Sequence, residues 1–150
     1  MARIGGVAVH LPERLMTGVE LEQRIGPYRP PDGIVARLTG ITARHVMADD
    51  EQASDLAVAA ARKLLADTGT AVEDVDLLLF ASASQDMVEP ATAHIVAEKL
   101  ELRCPVMDVK NACNSVLNGL EVADALIGTG RYRRVVVASG EAPSRAVRWQ

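Results

Sequence analysis

Aromatic residues are scarce in this sequence, and positive charge is not in excess. Phe80, Trp149, Tyr28 and Tyr132 are the only aromatic residues among 150. So few flat side chains do not form a platform on which nucleic-acid bases stack. The 16 Lys and Arg stand against 20 Asp and Glu, which gives a net charge of -4. A mildly acidic chain does not neutralise phosphates well, so we expect no nucleic-acid partner.

Long hydrophobic runs are missing as well. The apolar stretches 77–81 and 135–138 are of strand size, far below the ~20 residues that a membrane-spanning helix needs. The first residues lack the apolar core and the cleavage site of a signal peptide. We therefore expect no membrane association and a cytoplasmic location. In that compartment the only two cysteines, Cys104 and Cys113, are expected to be thiols.

Residues that bind metal ions are few and scattered. His10, His45 and His94 fall in three separate segments of the chain. The spacing of Cys104 and Cys113 is typical neither of a zinc site nor of a redox pair. The sequence therefore predicts no metal centre.

Two hydrophobic periods alternate along the chain, which is typical of an α/β protein. Thr17 and Glu20 predict the start of a short helix, and Ser54 and Pro90 predict the starts of two longer ones. Helices are expected at 54–69, 90–100 and 111–127, and strands at 4–11, 77–83, 104–109 and 134–139. Connections of this length imply a mostly parallel sheet with helices on both faces.

The segment 109–120 carries the clearest chemical signal, because a predicted strand runs directly into a predicted helix with Cys113 at the junction. A helix N-terminus presents unpaired N–H groups and a partial positive charge, which favour a thiolate over a thiol. The same N–H groups can bind the oxyanion of a tetrahedral intermediate. A sharp turn before the helix pushes the side chain outward, as in other nucleophile elbows. The position therefore suits a nucleophile.

Two interpretations of Cys113 stand beside each other when only the residues are considered. The residue is either a nucleophile or a buried structural cysteine, because free cysteine is among the most buried residue types. Cys104 precedes Pro105 at a predicted strand start, and we interpret it as a packing residue.

Five segments in the same order resemble motifs of the ketoacyl synthase III-type enzymes of the thiolase superfamily. They are the strand 3–12, the motif 38–44 (LTGITAR), the helix start 54–57 (SDLA), the strand 74–80, and 111–115 (NACNS), which stands where the family carries its nucleophile motif. The resemblance runs along nearly the whole chain. It implies an α/β fold that is the N-terminal half of a thiolase fold, with a mostly parallel five-stranded sheet and a buried helix carrying the nucleophile.

The resemblance also implies a chemistry for Cys113. The thiolate would attack an acyl thioester, delivered by coenzyme A or by acyl carrier protein, and form an acyl-enzyme. A second thioester would then supply the carbon nucleophile of a Claisen condensation, either decarboxylative or non-decarboxylative. The implied enzyme is an acyltransferase with no permanently bound cofactor.

The segment 85–93 (QDMVEPATA) narrows the subgroup. It is similar to a loop of the head-to-head condensing thiolases of long-chain olefin and β-lactone biosynthesis, in which a glutamate before proline reaches across the dimer as a base. The resemblance thus makes Glu89 the candidate base and favours non-decarboxylative head-to-head condensation. The alternative is that Glu89 only complements the positive end of the next helix dipole.

The chain also departs from the family pattern. The half that brings the family's His and Asn is absent, so residues 1–150 are expected to be a half-domain that needs a complementary polypeptide. Gly33 or Ile34 stands where the family stacks adenine on Trp. The choice between Gly33 and Ile34 depends on a one-residue gap in the match, and the same gap leaves two interpretations of Arg37: a contact to a phosphate of coenzyme A, or an ordinary solvated arginine. Asn114 and Ser115 replace the common Ser-Gly after the nucleophile.

The resemblance finally implies partners. The strand before the nucleophile, about 105–109, lies at the dimer interface of the family, so a homo- or heterodimer is expected through it. Two alternatives to condensation remain: transfer of the acyl group to an alcohol or amine, and a non-catalytic assembly subunit.

Overall fold

Strand β3 (Leu77–Ala81) is the centre of a parallel sheet in the computed structural model, which describes residues 2–25 and 29–147. Its side chains are between 0% and 1% exposed, as expected for an apolar strand that is covered on both faces. Strands β4 (Val106–Val109) and β5 (Val135–Ala138) flank it in the order β4-β3-β5. Both pair with β3 in parallel, which confirms the α/β class.

Helices cover both faces of this sheet. Leu77 and Leu79 pack with Ala123 in one core cluster, whereas Leu78 and Phe80 point to the opposite face because side chains alternate along a strand. The three helices that pack on the sheet are α3 (Ala53–Thr68), α4 (Thr92–Leu100) and α5 (Ser115–Gly128).

Helix α5 approaches the sheet closely at Gly119. A Cβ atom at this position would lie 2.9 Å from Cβ of Ala81 and 3.0 Å from Cγ1 of Val137. The outward face of α5 is nevertheless open, since Val116 and Leu117 are exposed. The prediction of a buried helix is therefore wrong for that face. Among the described residues no element covers the face of α5 that carries Val116 and Leu117, and a helix face is buried only where another element covers it.

The chain divides into two units, one formed by Met1–His10 and Gln52–Glu141 and the other by Leu11–Glu51 and Ala142–Gln150. The sheet and helices α3 to α5 belong to the first unit. The second unit contains the antiparallel pair of β1 (Leu15–Thr17) and β2 (Ala43–His45), and the helices α1 (Gly18–Arg24) and α2 (Ile34–Thr39).

Side chains close the starts of both helices of the second unit. The hydroxyl of Thr17 accepts a hydrogen bond from the backbone N–H of Glu20 at 3.1 Å, which confirms the predicted start of α1. The fully buried carboxylate of Glu22 accepts from the backbone N–H groups of Gly33 at 2.6 Å and Val35 at 2.7 Å. These two bonds satisfy donors at the first turn of α2.

The first predicted strand is not formed. Residues 2–10 have no regular secondary structure, and Ile4, Val7 and Val9 are exposed. An alternating segment becomes a strand only where a neighbouring strand offers its hydrogen bonds. The prediction of a single five-stranded sheet is wrong for the same reason. The described residues form five strands, but in a parallel sheet of three and an antiparallel pair.

Helix starts also differ from the predicted ones. The cap of α3 is Gln52 rather than Ser54, and α4 begins at Thr92 rather than at Pro90. Helix α5 begins at Ser115, whereas a start at Asn111 was expected from the sequence. In the described part of the chain, no helix has the length and hydropathy needed to cross a membrane.

Candidate active site

Cys113 lies in the turn between β4 and α5, ahead of the first helical residue rather than on the helix. Ala112 has a φ of 46°, in the left-handed region that alanine rarely adopts. The hydroxyl of Ser115 holds this turn, because it donates to the carbonyl of Ala112 at 2.8 Å and accepts from the N–H of Asn111 at 2.9 Å. Strained backbone of this kind is typical of functional sites, where surrounding contacts maintain it.

The thiol of Cys113 is exposed, which excludes the interpretation as a buried structural cysteine. Its side chain makes no hydrogen bond with any residue that the structure describes. Helix α5 begins two residues later without a side-chain cap. The backbone N–H groups of Val116 and Leu117 have no acceptor within residues 2–25 and 29–147. The start of α5 therefore keeps donors that suit an incoming oxyanion.

Three asparagines form a polar surface beside the turn. Oδ1 of Asn118 accepts from Nδ2 of Asn111 at 2.6 Å and from Nδ2 of Asn114 at 3.3 Å. Nδ2 of Asn118 donates to Glu121 at 3.4 Å. The asparagine that replaces the common serine after the nucleophile is thus tied to the first turns of α5.

Cys104 differs from Cys113 in its exposure. It is only partly exposed, ahead of β4. Burial raises the pKa of the Cys104 thiol, and the charge of Asp76 adds to this increase. A thiol with a raised pKa has little thiolate near neutral pH, which agrees with the interpretation of Cys104 as a packing residue.

Glu89 lies in the loop 82–91, which follows β3 and leads to α4. Glu89 is exposed, and so is the preceding Val88. The Glu89 carboxylate forms no hydrogen bond or ion pair with the residues described here. The first N–H groups of α4, those of Thr92 and Ala93, donate instead to Asp108 at 3.0 and 2.8 Å. The acid that directly complements this helix start is therefore Asp108, whereas Glu89 remains free for another role.

A second carboxylate, that of Glu141 after β5, holds the beginning of the same loop. It accepts from the hydroxyl of Ser82 at 2.9 Å, from the N–H of Ala83 at 2.8 Å and from the hydroxyl of Ser84 at 2.9 Å. Sequence reasoning did not identify Glu141 or Asp108. Both lie at the carboxyl ends of strands that flank β3, where the ends of parallel strands meet, and this position is the signal that could have found them.

Arg37 lies in the second unit, exposed on α2. Its contact to a coenzyme A phosphate stays a prediction, as do the roles of Cys113 and Glu89. Among the residues described, no group of three His, Cys, Asp or Glu side chains is arranged to hold a metal ion.

Comparisons with known proteins show which proteins the chain is similar to. The family model "3-Oxoacyl-[acyl-carrier-protein (ACP)] synthase III" matches residues 107–150. The chain is 38% identical over 150 residues to the beta-ketoacyl-[acyl-carrier-protein] synthase III of Neisseria gonorrhoeae (strain NCCP11945), covering 99% of this chain and 46% of that protein. The corresponding protein of Thiobacillus denitrificans (strain ATCC 25259 / T1) is 39% identical, with the same coverage.

Solved structures of related proteins have a fold similar to that of this chain. The structure of Xanthomonas campestris OleA with cerulenin bound has a TM-score of 0.86 at 34% identity, covering 94% of this chain and 43% of that one. The 3-oxoacyl-[acyl-carrier-protein] synthase III of Aquifex aeolicus VF5 has a TM-score of 0.87 at 29% identity, covering 97% and 46%. The chain belongs to the ketoacyl synthase III type of the thiolase superfamily and is related to OleA.

The match covers only part of these enzymes. The chain spans about half the length of the curated relatives it matches. The family model includes Cys113 but begins after Glu89 and Arg37. The thiolase-like α/β fold predicted from the sequence is confirmed.

Proposed function

We propose that this chain provides the nucleophile of an enzyme that condenses acyl thioesters, with Cys113 forming the acyl-enzyme. The observation that carries the proposal is the exposed thiol in a strained turn, directly before an uncapped helix start. The family to which the chain belongs supports the same chemistry, since its relatives are named as synthases of ketoacyl chains on acyl carrier protein. Substrates are acyl thioesters of coenzyme A or acyl carrier protein, with no resident cofactor.

The first half-reaction is acyl transfer to Cys113. The thiolate attacks the thioester carbonyl, and the oxyanion forms beside the free N–H groups at the start of α5. The new C–S bond replaces the old one, and the released thiol takes up a proton. Exchange between two thioesters is nearly balanced in energy, so the acyl-enzyme is a suitable intermediate.

The second half-reaction forms the carbon–carbon bond, and we propose the non-decarboxylative head-to-head form. Glu89 removes an α-proton from a second acyl thioester, and the resulting carbanion attacks the carbonyl of the acyl-enzyme. The bond to Cys113 breaks and the thiolate is restored. The free, exposed carboxylate of Glu89 supports this role.

The proposal includes a complementary half. In it, a second polypeptide or segment brings the His and Asn that polarise the thioester carbonyl. Assembly as a homo- or heterodimer would use the strand near 105–109, and Arg37 would approach a phosphate of coenzyme A. The exposed apolar residues Val116 and Leu117 support the existence of a covering partner.

The test uses the assembled enzyme and measures its intact mass after incubation with acetyl-, octanoyl- and myristoyl-CoA. We expect one acyl adduct, on the peptide that contains Cys113, and no adduct in Cys113→Ser. Cys104→Ser is the matched control and should acylate normally. Absence of an adduct in the complete assembly would overturn the proposal and favour an assembly subunit.

Substitution of Glu89 distinguishes the possible second half-reactions. We expect Glu89→Gln to keep acylation of Cys113 and to lose the β-keto thioester product by about 10²-fold, as for removal of a general base. If the variant loses condensation of simple acyl-CoA but condenses normally when malonyl-CoA is the second substrate, the reaction is decarboxylative, since loss of carbon dioxide from the malonyl group then makes a base unnecessary. An acyl-enzyme that yields only esters or amides would instead identify transfer to oxygen or nitrogen.

A further inference from the structure

A chain of side-chain hydrogen bonds joins the loop that carries Glu89 to the strand that leads to Cys113. Its members are Gln85, Asp108 and Lys110. Asp108 is the third residue of β4, and Cys113 follows five residues later. Strand β4 therefore contacts the loop through Asp108 and also leads to Cys113.

The partly buried carboxylate of Asp108 holds the loop at both of its ends. Oδ2 accepts from Nε2 of Gln85 at 3.0 Å, near the beginning of the loop. The same oxygen accepts from the N–H of Thr92 at 3.0 Å, directly after the loop, and Oδ1 accepts from the N–H of Ala93 at 2.8 Å. Hydrogen bonds to an ionised acceptor are stronger than neutral ones, so one group fixes the span of the loop.

The amide of Gln85 has a single possible orientation in this chain of bonds. Its Nε2 donates to Asp108, and its Oε1 accepts from Nζ of Lys110 at 2.8 Å. Lys110 lies one residue beyond β4, and its side chain and that of Asp108 both bond to Gln85. Lysine only donates and ionised aspartate only accepts, so a reversed amide would face a donor with a donor.

The part of the loop beyond these bonds protrudes. Met87 and Val88 are 48% and 88% exposed, and Glu89 is exposed as well. Asp86 is held, since its N–H donates to the hydroxyl of Thr92 at 3.2 Å and its carboxylate accepts from the N–H of Ser54 at 3.0 Å. The position of the exposed residues 87–89 therefore depends on the bonded residues Gln85 and Asp86 before them.

We propose that Asp108, acting through Gln85, is a positioning residue that holds the Glu89 loop in register with Cys113. This inference rests on the proposed function and adds residues that serve its second half-reaction. Loss of the Gln85 amide changes the place of Glu89 and leaves the turn around Cys113 intact, because Ser115 holds that turn separately.

The experiment measures the two half-reactions separately in the assembled enzyme, with myristoyl-CoA as the probe for both. In Gln85→Ala we expect acylation of Cys113, followed by intact mass, to stay within about twofold of wild type. Formation of the β-keto thioester should fall on the order of 10- to 10²-fold, as for a reacting group displaced by about 1 Å. Asp108→Asn should behave alike, and Asp67→Asn, an exposed position on α3, is the matched control.

A double variant separates positioning from a general structural effect. If Gln85 acts only by placing Glu89, then Glu89→Gln combined with Gln85→Ala condenses no more slowly than Glu89→Gln alone. Losses that multiply would overturn the inference. Wild-type condensation in Gln85→Ala would do the same, and so would an equal loss of both half-reactions.

A measurement without turnover keeps the inference distinct from the proposed function. Hydrogen exchange on the 150-residue chain should be faster for the amide of Asp86, which donates to the hydroxyl of Thr92 at the base of the loop, in Gln85→Ala than in wild type or Asp67→Asn. Unchanged exchange would contradict positioning even in an active enzyme. Faster exchange would support it even where wild type forms no acyl adduct and the proposed function fails.

Discussion

Gly140 lies directly against Ala53, so closely that a Cβ atom on Gly140 would be 1.9 Å from the carbonyl oxygen of Ala53. Gly140 follows β5, and Ala53 is the first residue of α3. The contact therefore joins the start of α3 to the edge of the sheet where the candidate site is built. Backbone atoms cannot move aside as a flexible side chain can.

Replacement of this glycine should disrupt the first unit. We expect Gly140→Ala to lower the free energy of unfolding by about 3 kcal/mol, since the overlap is with backbone. Urea unfolding followed by circular dichroism measures the change. Gly128→Ala at the end of α5 is the control, because a Cβ there meets no atom within 4 Å. It should be neutral or stabilise by up to about 1 kcal/mol.

The start of α4 distinguishes the roles of its two neighbouring acids. Asp108→Ala should lower the free energy of unfolding by about 1–2 kcal/mol, because it removes the acceptor of the N–H groups of Thr92 and Ala93. Glu89→Ala should change it by less than about 0.5 kcal/mol, as at an exposed site without contacts. Thermal unfolding of both variants provides the comparison. A larger loss for Glu89→Ala would restore the view that Glu89 serves the helix.

The two thiols should react at different rates. At neutral pH we expect iodoacetamide to modify Cys113 at least about tenfold faster than Cys104, because Cys113 is exposed and burial raises the pKa of the Cys104 thiol. Peptide mass spectrometry of timed samples measures both rates. Cys113→Ser should leave only the slow reaction. Equal rates would show that exposure alone does not make the turn at Cys113 reactive.

The ion pair of Asp55 and Lys99 should make stability depend on pH. Burial alone would raise the pKa of Asp55, but the hydrogen bond from Lys99, the N–H of Gln52 and the Lys99 charge together lower it. The carboxylate therefore stabilises the fold above its ordinary pKa of 3.8, and the effect is lost as the pH falls through the lowered value. Both side chains are about a third exposed, so solvent limits the gain to about 1 kcal/mol.

The variant Asp55→Asn makes this dependence measurable. It should be less stable than wild type in urea at pH 7, and the difference should disappear in strong acid, where both side chains are neutral. Asp67→Asn, which breaks the exposed pair with Lys63, should differ by less than about 0.5 kcal/mol at either pH. A difference for Asp55→Asn that persists in acid would assign the effect to the capping bond with Gln52 instead.

The sequence predicts best those elements whose burial or backbone conformation follows from their own residues. The apolar run at Leu77 is a strand because every side chain in it is buried, and Gly69 ends α3 because its φ of 61° suits glycine. The segment from Ile4 to Val9 is apolar like a strand, yet no strand of the described residues pairs with it. Whether such a segment pairs depends on distant parts of the chain.

The sequence singles out Cys113 as the candidate nucleophile but does not single out the residues that hold the loop and the turn around it. Cys113 is marked by a strand that runs into a helix, which is a local pattern. Asp108 and Glu141 bind groups 15 or more residues away in sequence, and only their place at the carboxyl ends of neighbouring strands points to these contacts. The exposed place of Cys113 ahead of α5 also required the structure, since helix starts shift with the side chain that caps them.

The outward face of α5 has a consequence for handling the protein. Leu117 is 64% exposed there, and Val116 and Leu120 lie beside it. Water around such a stripe is released when the stripes of two molecules meet, so concentrated samples should self-associate. Charged replacements on this stripe would keep the chain monodisperse for spectroscopy, while the side of the helix that packs through Gly119 stays as it is.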